Sequence, residues 1–147
     1  MKLKFETIVP CELSIVKSGF TKDLFMALKP PFVKLIVDRF DGCSAGNEVH
    51  LILKSFGPAQ KWVSHITEEK LTDKEWYFID EGHLIPWPLA KWKHIHKVVS
   101  IDKNSSLIVD DINFECIFPW MNSLFYPVLW LSFSVRPSRY KKYFEGK

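Results

Sequence analysis

Six strand-like runs follow one another between residues 31 and 116, and they constrain the fold more than any other feature of the sequence. In each run apolar and polar residues alternate, which is typical of a β-strand with one buried and one exposed face. The breaks between the runs are short and contain Gly, Pro, Asp or Asn. Parallel neighbours would need a crossover between each pair, so the pattern predicts an antiparallel meander. The runs are residues 32–40, 47–56, 60–68, 75–83, 91–101 and 106–116.

The segment before these runs predicts one further strand and two short helices. Residues 2–9 alternate in the same way and predict a first strand, which Pro10 ends. Between residues 11 and 29 the apolar residues recur at helical spacing, with a break at Ser18-Gly19 and with Thr21 as the N-cap of the second helix. The face of the first strand expected to be buried carries Leu3, Phe5, Thr7 and Val9.

The segment after the runs predicts a long C-terminal helix. Residues 116–135 carry no formal charge, and a bilayer-spanning helix needs about 20 apolar residues. Two internal prolines, three serines and a polar back face oppose such a span, so we expect an amphipathic helix that covers the sheet. The basic residues Arg136, Arg139, Lys141 and Lys142 are expected at its solvated end. The face expected to meet the sheet carries Met121, Leu124, Phe125, Val128, Leu129, Ser132 and Val135.

Composition limits the class of protein. The 147 residues are 47% hydrophobic and 15% aromatic, which predicts one folded domain over residues 1–147 and excludes disorder. A formal charge of +3 is too small to indicate nucleic-acid binding, and no glycine-rich phosphate loop occurs.

Cys11, Cys43 and Cys116 are too few and too widely spaced for a disulfide framework or a metal knuckle, and we expect them to be structural. With no signal-peptide pattern in the sequence, we expect a cytoplasmic protein without a cofactor.

The elements together predict an α+β fold. In it a seven-stranded antiparallel sheet wraps around the long C-terminal helix, and two short helices follow the first strand. An amphipathic helix laid across a curved sheet tends to enclose a space between the two. The oligomeric state is not indicated.

Several local motifs resemble the SRPBCC superfamily of START-like, helix-grip proteins, which includes the birch pollen allergen fold, polyketide cyclases and ubiquinone-binding proteins. The resemblance implies a hydrophobic ligand cavity, on a scaffold that serves binding, transport and catalysis. Two departures concern Pro137, which predicts a kink in the last helix, and residues 84–88, which replace a Gly-Pro motif. The motifs are Phe78-Ile79-Asp80-Glu81, Trp87, Trp92-Lys93-His94-Ile95-His96, Asp110-Asp111-Ile112-Asn113-Phe114 and the run of residues 133–140.

Strand alternation then predicts which side chains point toward the helix. Lys93 and Lys97 mark the exposed face of their strand, so Trp92, His94, His96 and Val98 on the other face point inward. The same rule applied to each strand, with the inner face of the helix, gives a predicted set of ligand-binding residues. They are Trp62, Ser64, Phe78, Asp80, Trp92, His94, His96, Asp110, Phe114, Met121, Phe125 and Leu129.

The sharpest group in this set is His94, His96 and Asp110, which fall on neighbouring strands. An inward carboxylate beside an imidazole fixes its tautomer, an arrangement that acid–base catalysis on a bound carbonyl or enol would use. The alternative is a satisfied polar cluster without catalysis. His-x-His also has the spacing of two metal ligands, but no third ligand lies at a diagnostic offset, and we expect no metal.

Three functions remain open from the sequence. The first is binding of a hydrophobic or aromatic small molecule, such as a lipid, a polyketide or a quinone-like compound. The second is an enzyme of cyclase, dehydratase or hydrolase type that uses the His94, His96 and Asp110 group. The third is peripheral attachment to a membrane or a protein partner through the aromatic C-terminal helix. Integral membrane insertion is not expected.

Overall fold

The computed structural model describes residues 1–55 and 57–147. It contains seven strands and four helices, and all seven predicted strands are present. Phe56, the predicted end of the third strand, lies outside the described residues. The strands are β1 (Lys2–Val9), β2 (Lys34–Phe40), β3 (Glu48–Lys54), β4 (Gln60–Leu71), β5 (Glu75–Leu84), β6 (Leu89–Asp102) and β7 (Ser105–Cys116). The helices are α1 (Leu13–Gly19), α2 (Lys22–Ala27), α3 (Pro119–Ser134) and α4 (Arg136–Phe144).

The strands form one antiparallel sheet in the order β1-β7-β6-β5-β4-β3-β2. Strands β2 to β7 are therefore the predicted meander, and β1 joins it by pairing with β7, where Leu3 lies opposite Ile112. Register shifts interrupt the pairing in β2, β4 and β6. Because bulges of this kind increase local twist and bend a strand, they curve the sheet around the helices.

Burial along the strands follows the predicted alternation. In β6 the side chains of Trp92, His94, His96 and Val98 are buried, whereas Lys93 and Lys97 are only partly covered on the other face. In β1 Leu3, Thr7 and Val9 are buried. The inner faces of the sheet are thus the faces expected from the sequence.

The two short helices lie where the sequence predicts them. Thr21 is the N-cap residue of α2 by position, although its side chain makes no capping hydrogen bond. Helix α1 ends at Gly19, where an added Cβ would lie 2.5 Å from a ring carbon of Phe144. Glycine therefore allows α1 to approach α4 closely.

The long C-terminal helix is interrupted at Val135, which separates α3 from α4. Pro137 accounts for the break, because it has no backbone N–H to donate to the carbonyl of Phe133 and its ring disfavours helical geometry at Arg136. Helix α3 packs on β1 and β7, while α4 packs on β1 and α2. The interruption falls two residues before Pro137, from which the sequence predicts a kink.

The prediction for the face of α3 is partly wrong. Met121, Leu129 and Ser132 are buried as expected, but Leu124 and Val128 are 66% and 43% exposed. Apolar residues surround α3 on all sides, so periodicity does not determine which side meets the sheet. Among the described residues, none of the helices combines the length and apolar character needed to cross a membrane.

Candidate functional site

Four polar side chains lie side by side on the inner face of β5, β6 and β7. The strand register places Asp80 opposite His94 and His96 opposite Asp110. His94, His96 and Asp110 are only 2%, 8% and 2% exposed, while Asp80 is half-buried. The predicted group of His94, His96 and Asp110 is therefore brought together, because inner-face residues on paired strands are direct neighbours.

The carboxylate of Asp110 is the centre of this group. Its Oδ1 accepts hydrogen bonds from His94 Nε2 at 2.8 Å, Arg136 Nη1 at 3.2 Å and the Tyr140 hydroxyl at 3.4 Å. His96 Nδ1 lies 3.4 Å from the same oxygen without hydrogen-bond geometry. We refer to Asp110, His94, His96, Arg136 and Tyr140 as the Asp110 cluster.

Arg136 and Tyr140 were missed as site residues from the sequence, and Arg136 was expected in solvent. Its side chain is instead only 11% exposed and lies over the ring of Phe133, with 4.2 Å between the guanidinium carbon and the ring centre. Arg136 is the first residue of α4, directly after the break at Val135, and its guanidinium reaches Asp110 on the sheet. The Phe-x-x-Arg run at residues 133–136 was the available signal, but a sequence run does not say which way its arginine points.

The charges of the cluster follow from its burial. Burial alone would raise the pKa of Asp110, but Arg136 and the hydrogen bond from His94 outweigh it and hold that pKa well below its usual value. Asp110 is therefore ionised and can only accept hydrogen bonds, so the His94 Nε2 atom carries a proton. Burial, reinforced by the neighbouring His94, lowers the pKa of His96 well below that of a free imidazole, which keeps His96 neutral.

Two polar atoms of this region have no hydrogen-bond partner among the described residues. They are Asp80 Oδ1 and His96 Nδ1, and both are enclosed. The His96 ring is stacked on Phe78, with ring centres 4.4 Å apart. Burial raises the pKa of Asp80 and the positive field of His94 opposes this, so the Asp80 carboxyl is shifted toward its proton-bearing form. Unpaired buried polar groups are uncommon and mark sites where another group can bind.

Aromatic rings fill the space between α3 and the part of the sheet formed by β1, β6 and β7. Phe133 lies between Phe5 and Trp92, with ring centres 6.4 Å and 5.9 Å away. Trp92 in turn packs edge-on against Trp62 at 4.9 Å, and Trp62 Nε1 donates to Ser64 Oγ at 2.7 Å. The hollow predicted beneath the helix is therefore occupied by side chains on this side.

The predicted ligand-binding residues differ in their access to solvent. Most of them are buried, whereas Trp62 and Phe125, which pack against the same core cluster, are half-buried and mark the accessible side of the interior. Asp80 is half-buried as a residue, but its Oδ1 is enclosed. Two open surface pockets of about 460 and 340 Å³ lie elsewhere, around α1, and none of the predicted residues lines them. The buried residues are Ser64, Phe78, Trp92, His94, His96, Asp110, Phe114, Met121 and Leu129.

The donor atoms of His94, His96 and Asp110 lie within 4.8 Å of one another, a spacing that could hold a metal ion. The Arg136 guanidinium already binds the carboxylate oxygen that such an ion would need. A divalent cation would lie against this positive charge in a buried site, which is unfavourable. The absence of a metal remains our prediction.

The three cysteines are free, and Cys11 and Cys116 are buried. Burial raises the pKa of Cys43 to about 12, so its thiol is protonated at neutral pH. A thiolate nucleophile needs a lowered pKa, and Cys43 has the opposite.

No family model matches the sequence, and no curated protein matches it. The structure is similar to the Zhui aromatase/cyclase from Streptomyces sp. R1128, with a TM-score of 0.73 and 12% identity over 99% of this chain and 93% of that chain. A START superfamily protein from Mycobacterium smegmatis has a TM-score of 0.63 and 12% identity over 94% and 95% of the two chains. The fold is the START-like helix-grip fold. The resemblance stated from the motifs is confirmed at the level of fold.

A third helix-grip structure extends the comparison. Norcoclaurine synthase from Thalictrum flavum, solved in complex with dopamine and hydroxybenzaldehyde, has a TM-score of 0.63 and 16% identity over 100% of this chain and 88% of that chain. Identities of 12–16% show a shared fold and do not transfer an activity. The function of this helix-grip chain has to be argued from its own residues.

Proposed function

We propose that the protein binds a hydrophobic or aromatic small molecule of the lipid, polyketide or quinone-like class on the accessible side of its interior. The observation that carries the proposal is Asp80 Oδ1, an enclosed acceptor without a partner among the described residues. Asp80 is paired across the strands with His94, whose ring centre lies 6.0 Å from that of Trp92, and Trp92 packs against Trp62. An apolar body with one polar group matches this combination.

The two parts of the ligand have separate physical roles. Its apolar body would contact Trp62 and Phe125 and gain about 25 cal/mol per Å² of apolar surface removed from water. Its polar group would satisfy Asp80, either by donating to the ionised carboxylate or by accepting from the protonated carboxyl. Leaving such a group unpaired costs about 1–3 kcal/mol, so the polar contact adds orientation as well as affinity.

Access is expected from the side of Trp62 and Phe125. These side chains are half-buried, and Ile85 and Tyr126 are partly buried neighbours packed on the same core cluster. Because aromatic rings fill the space beneath α3, the ligand would occupy the region in front of Asp80 and would not extend along the full length of the helix. A displacement of Trp62 or Phe125 on binding is therefore part of the proposal.

A pair of probes tests this arrangement. 2-Naphthol has an aromatic body with one hydroxyl group, and naphthalene has the body alone. We expect both to shift the NMR signals of the Trp62 indole and of the Asp80 amide, with 2-naphthol binding more tightly. If neither probe shifts these signals, or if the shifts cluster around the two surface pockets near α1, the proposed site is wrong.

Matched variants separate the polar contact from general effects. Asp80→Asn should weaken 2-naphthol binding about fivefold to a hundredfold, in line with about 1–3 kcal/mol, and leave naphthalene nearly unchanged. Asp111→Asn on the other face of the sheet is the control and should alter neither affinity. Equal effects of the two variants would contradict a role for Asp80.

One observation favours catalysis as a second candidate function. The pKa of Asp80 is raised and that of Asp110 is lowered, and His94 lies between the two carboxyl groups. Opposed shifts of this kind are used to hold a proton donor and an acceptor at one pH. An enzyme of cyclase, dehydratase or hydrolase type would use Asp80 or His94 to move a proton at a bound carbonyl or enol.

Deuterium exchange from D₂O into the methyl group of 2-acetylnaphthalene tests this second candidate. An acid–base site that enolises ketones should accelerate the exchange above the buffer rate, and His94→Gln should abolish the acceleration. Exchange at the buffer rate across pH 5–9 would leave small-molecule binding as the better account.

A further inference from the structure

The outward face of α3 and the residues just before it form an exposed apolar surface. We call Ile117, Phe118, Trp120, Leu124, Val128, Trp130 and Leu131 the outer patch. Each of these side chains is between 43% and 67% exposed. Trp120, Leu124, Val128 and Leu131 recur at spacings of four, four and three residues, which places them along one side of the helix. Contiguous apolar surface of this kind marks an interaction site.

Aromatic residues concentrate at the beginning of α3. The rings of Phe118 and Trp120 are stacked with their centres 6.4 Å apart. Trp87 is 66% exposed and precedes Pro88, whose carbonyl accepts a hydrogen bond from the Ile117 amide at 2.9 Å. The outer patch therefore begins with a group of exposed aromatic rings and continues along α3 with aliphatic side chains.

Charge is distributed unevenly around the patch. Residues 116–135 include no Asp, Glu, Lys or Arg. Beyond Val135 the exposed side chains of α4 include Lys141 and Lys142, followed by Glu145. Before α3, Glu115 is paired with Lys91 at 2.8 Å. The surroundings of the patch are thus apolar with a net positive region at α4.

The charge and shape of the patch favour a lipid surface over a second copy of this chain. The 16 residues of α3 form a convex surface about 24 Å long, which can lie along a bilayer. The patch of a second copy would offer Lys141 and Lys142 no acidic partner, because residues 116–135 contain none, whereas an anionic bilayer offers the opposite charge. Exposed Trp and Phe beside aliphatic residues and lysines are typical of segments that lie in the membrane interface.

We propose that the outer patch docks on the surface of an anionic bilayer, with α3 lying along the interface. Trp120, Leu124 and Leu131 enter the boundary between headgroups and acyl chains. Lys141 and Lys142 lie against the negatively charged headgroups, which attract their positive charges. The proposal does not depend on the small-molecule site, because the outer patch is exposed to solvent on α3, whereas Asp80 is on β5 with its Oδ1 enclosed.

Co-sedimentation with vesicles tests the docking. We expect the protein to pellet with vesicles of phosphatidylcholine containing 30 mol% phosphatidylserine and to bind pure phosphatidylcholine more weakly. Leu124→Glu and Leu131→Glu should each reduce binding at least tenfold, because they place a carboxylate in the apolar boundary. Ile101→Glu is the matched control, since Ile101 is also exposed, at 51%, but lies at the end of β6. It should pellet like the unchanged protein.

Two double variants test how much the lysines of α4 contribute to vesicle binding. Replacing both lysines in Lys141→Gln/Lys142→Gln should weaken binding to phosphatidylserine vesicles and leave the weak binding to pure phosphatidylcholine unchanged. Lys70→Gln/Lys74→Gln alters the net charge equally on exposed residues elsewhere and should have little effect. Equal losses in the two double variants would show non-specific attraction and would overturn the assignment of the surface.

Two other results would also overturn the proposal. One is recovery of the protein in the supernatant with both kinds of vesicle. The other is a concentration-dependent dimer in analytical ultracentrifugation that Leu124→Glu abolishes, which would assign the patch to self-association. Binding of 2-naphthol by Leu124→Glu should be normal in every case, so failure of the docking proposal is distinguishable from failure of the small-molecule site.

Discussion

At the level of single residues, the Asp110 carboxylate depends on groups from separate parts of the chain. Its hydrogen bonds come from His94 on β6 and from Arg136 and Tyr140 on α4. The ion pair with Arg136 is buried, and a buried charge that loses its partner is costly. Removing one partner of the Asp110 cluster should therefore lower the free energy of unfolding measurably.

We expect Arg136→Met to lower the free energy of unfolding by about 3–5 kcal/mol, because Asp110 would remain charged without its guanidinium partner. Urea unfolding followed by circular dichroism measures this. Lys141→Met, an exposed residue of the same helix, should cost less than about 0.5 kcal/mol. The double variant Arg136→Met/Asp110→Asn should recover part of the loss. A double variant as unstable as the sum of its parts would show that the two residues act separately.

His96 gives a prediction for pH. Its pKa is lowered in the folded protein, so the unfolded chain binds a proton at a higher pH than the folded chain does. Stability is then fully present above about pH 6.5, the usual histidine pKa, and declines as the pH falls below it. His96→Gln should flatten the decline between about pH 6.5 and 5, whereas His83→Gln, an exposed residue, should not. Thermal unfolding across this range measures both.

At the level of elements, α3 shows how far a pattern can determine an orientation. Its length and position follow from its composition and prolines, but apolar residues lie on all of its sides. The strands differ, because alternation with lysines such as Lys93 and Lys97 identifies their exposed face directly. Arg136 was misplaced for a related reason: Pro137 indicates a break in the helix, but the side that Arg136 faces after the break depends on how α4 packs, which local spacing does not contain.

The orientation of α3 can be tested with two leucines of the same helix. Leu129 is 7% exposed and packs in the core beneath α3, while Leu124 is 66% exposed. Leu129→Ala should cost about 2–5 kcal/mol of unfolding free energy and Leu124→Ala less than about 0.5 kcal/mol. Chemical denaturation compares them. Similar costs would mean that α3 is rotated relative to the arrangement described here.

At the level of the whole molecule, the antiparallel sheet could be predicted from the sequence. The packing of side chains on its inner face could be predicted only in part. Six runs with short breaks leave an antiparallel meander as the simple solution, and the seventh strand completes it. The inward set, including Asp80, His94 and Asp110, follows from the same alternation. Which of those side chains remain reachable does not, since it depends on how the rings of Phe5, Trp92 and Phe133 fill the interior. Tyr140 likewise joins the cluster through packing that has no local signal.

The pairing of β1 with β7 has a consequence for biosynthesis. Within this sheet β1 is synthesised before the other strands and must wait for a partner more than 100 residues later in the chain, as in the pair Lys2 and Asn113. Core residues Tyr140 and Phe144 arrive later still. Until then the apolar faces of the meander lack their cover, and contacts so distant in sequence form slowly. The nascent chain should therefore keep these apolar faces uncovered until the residues of α4 have been synthesised, and reach the native fold only after that point.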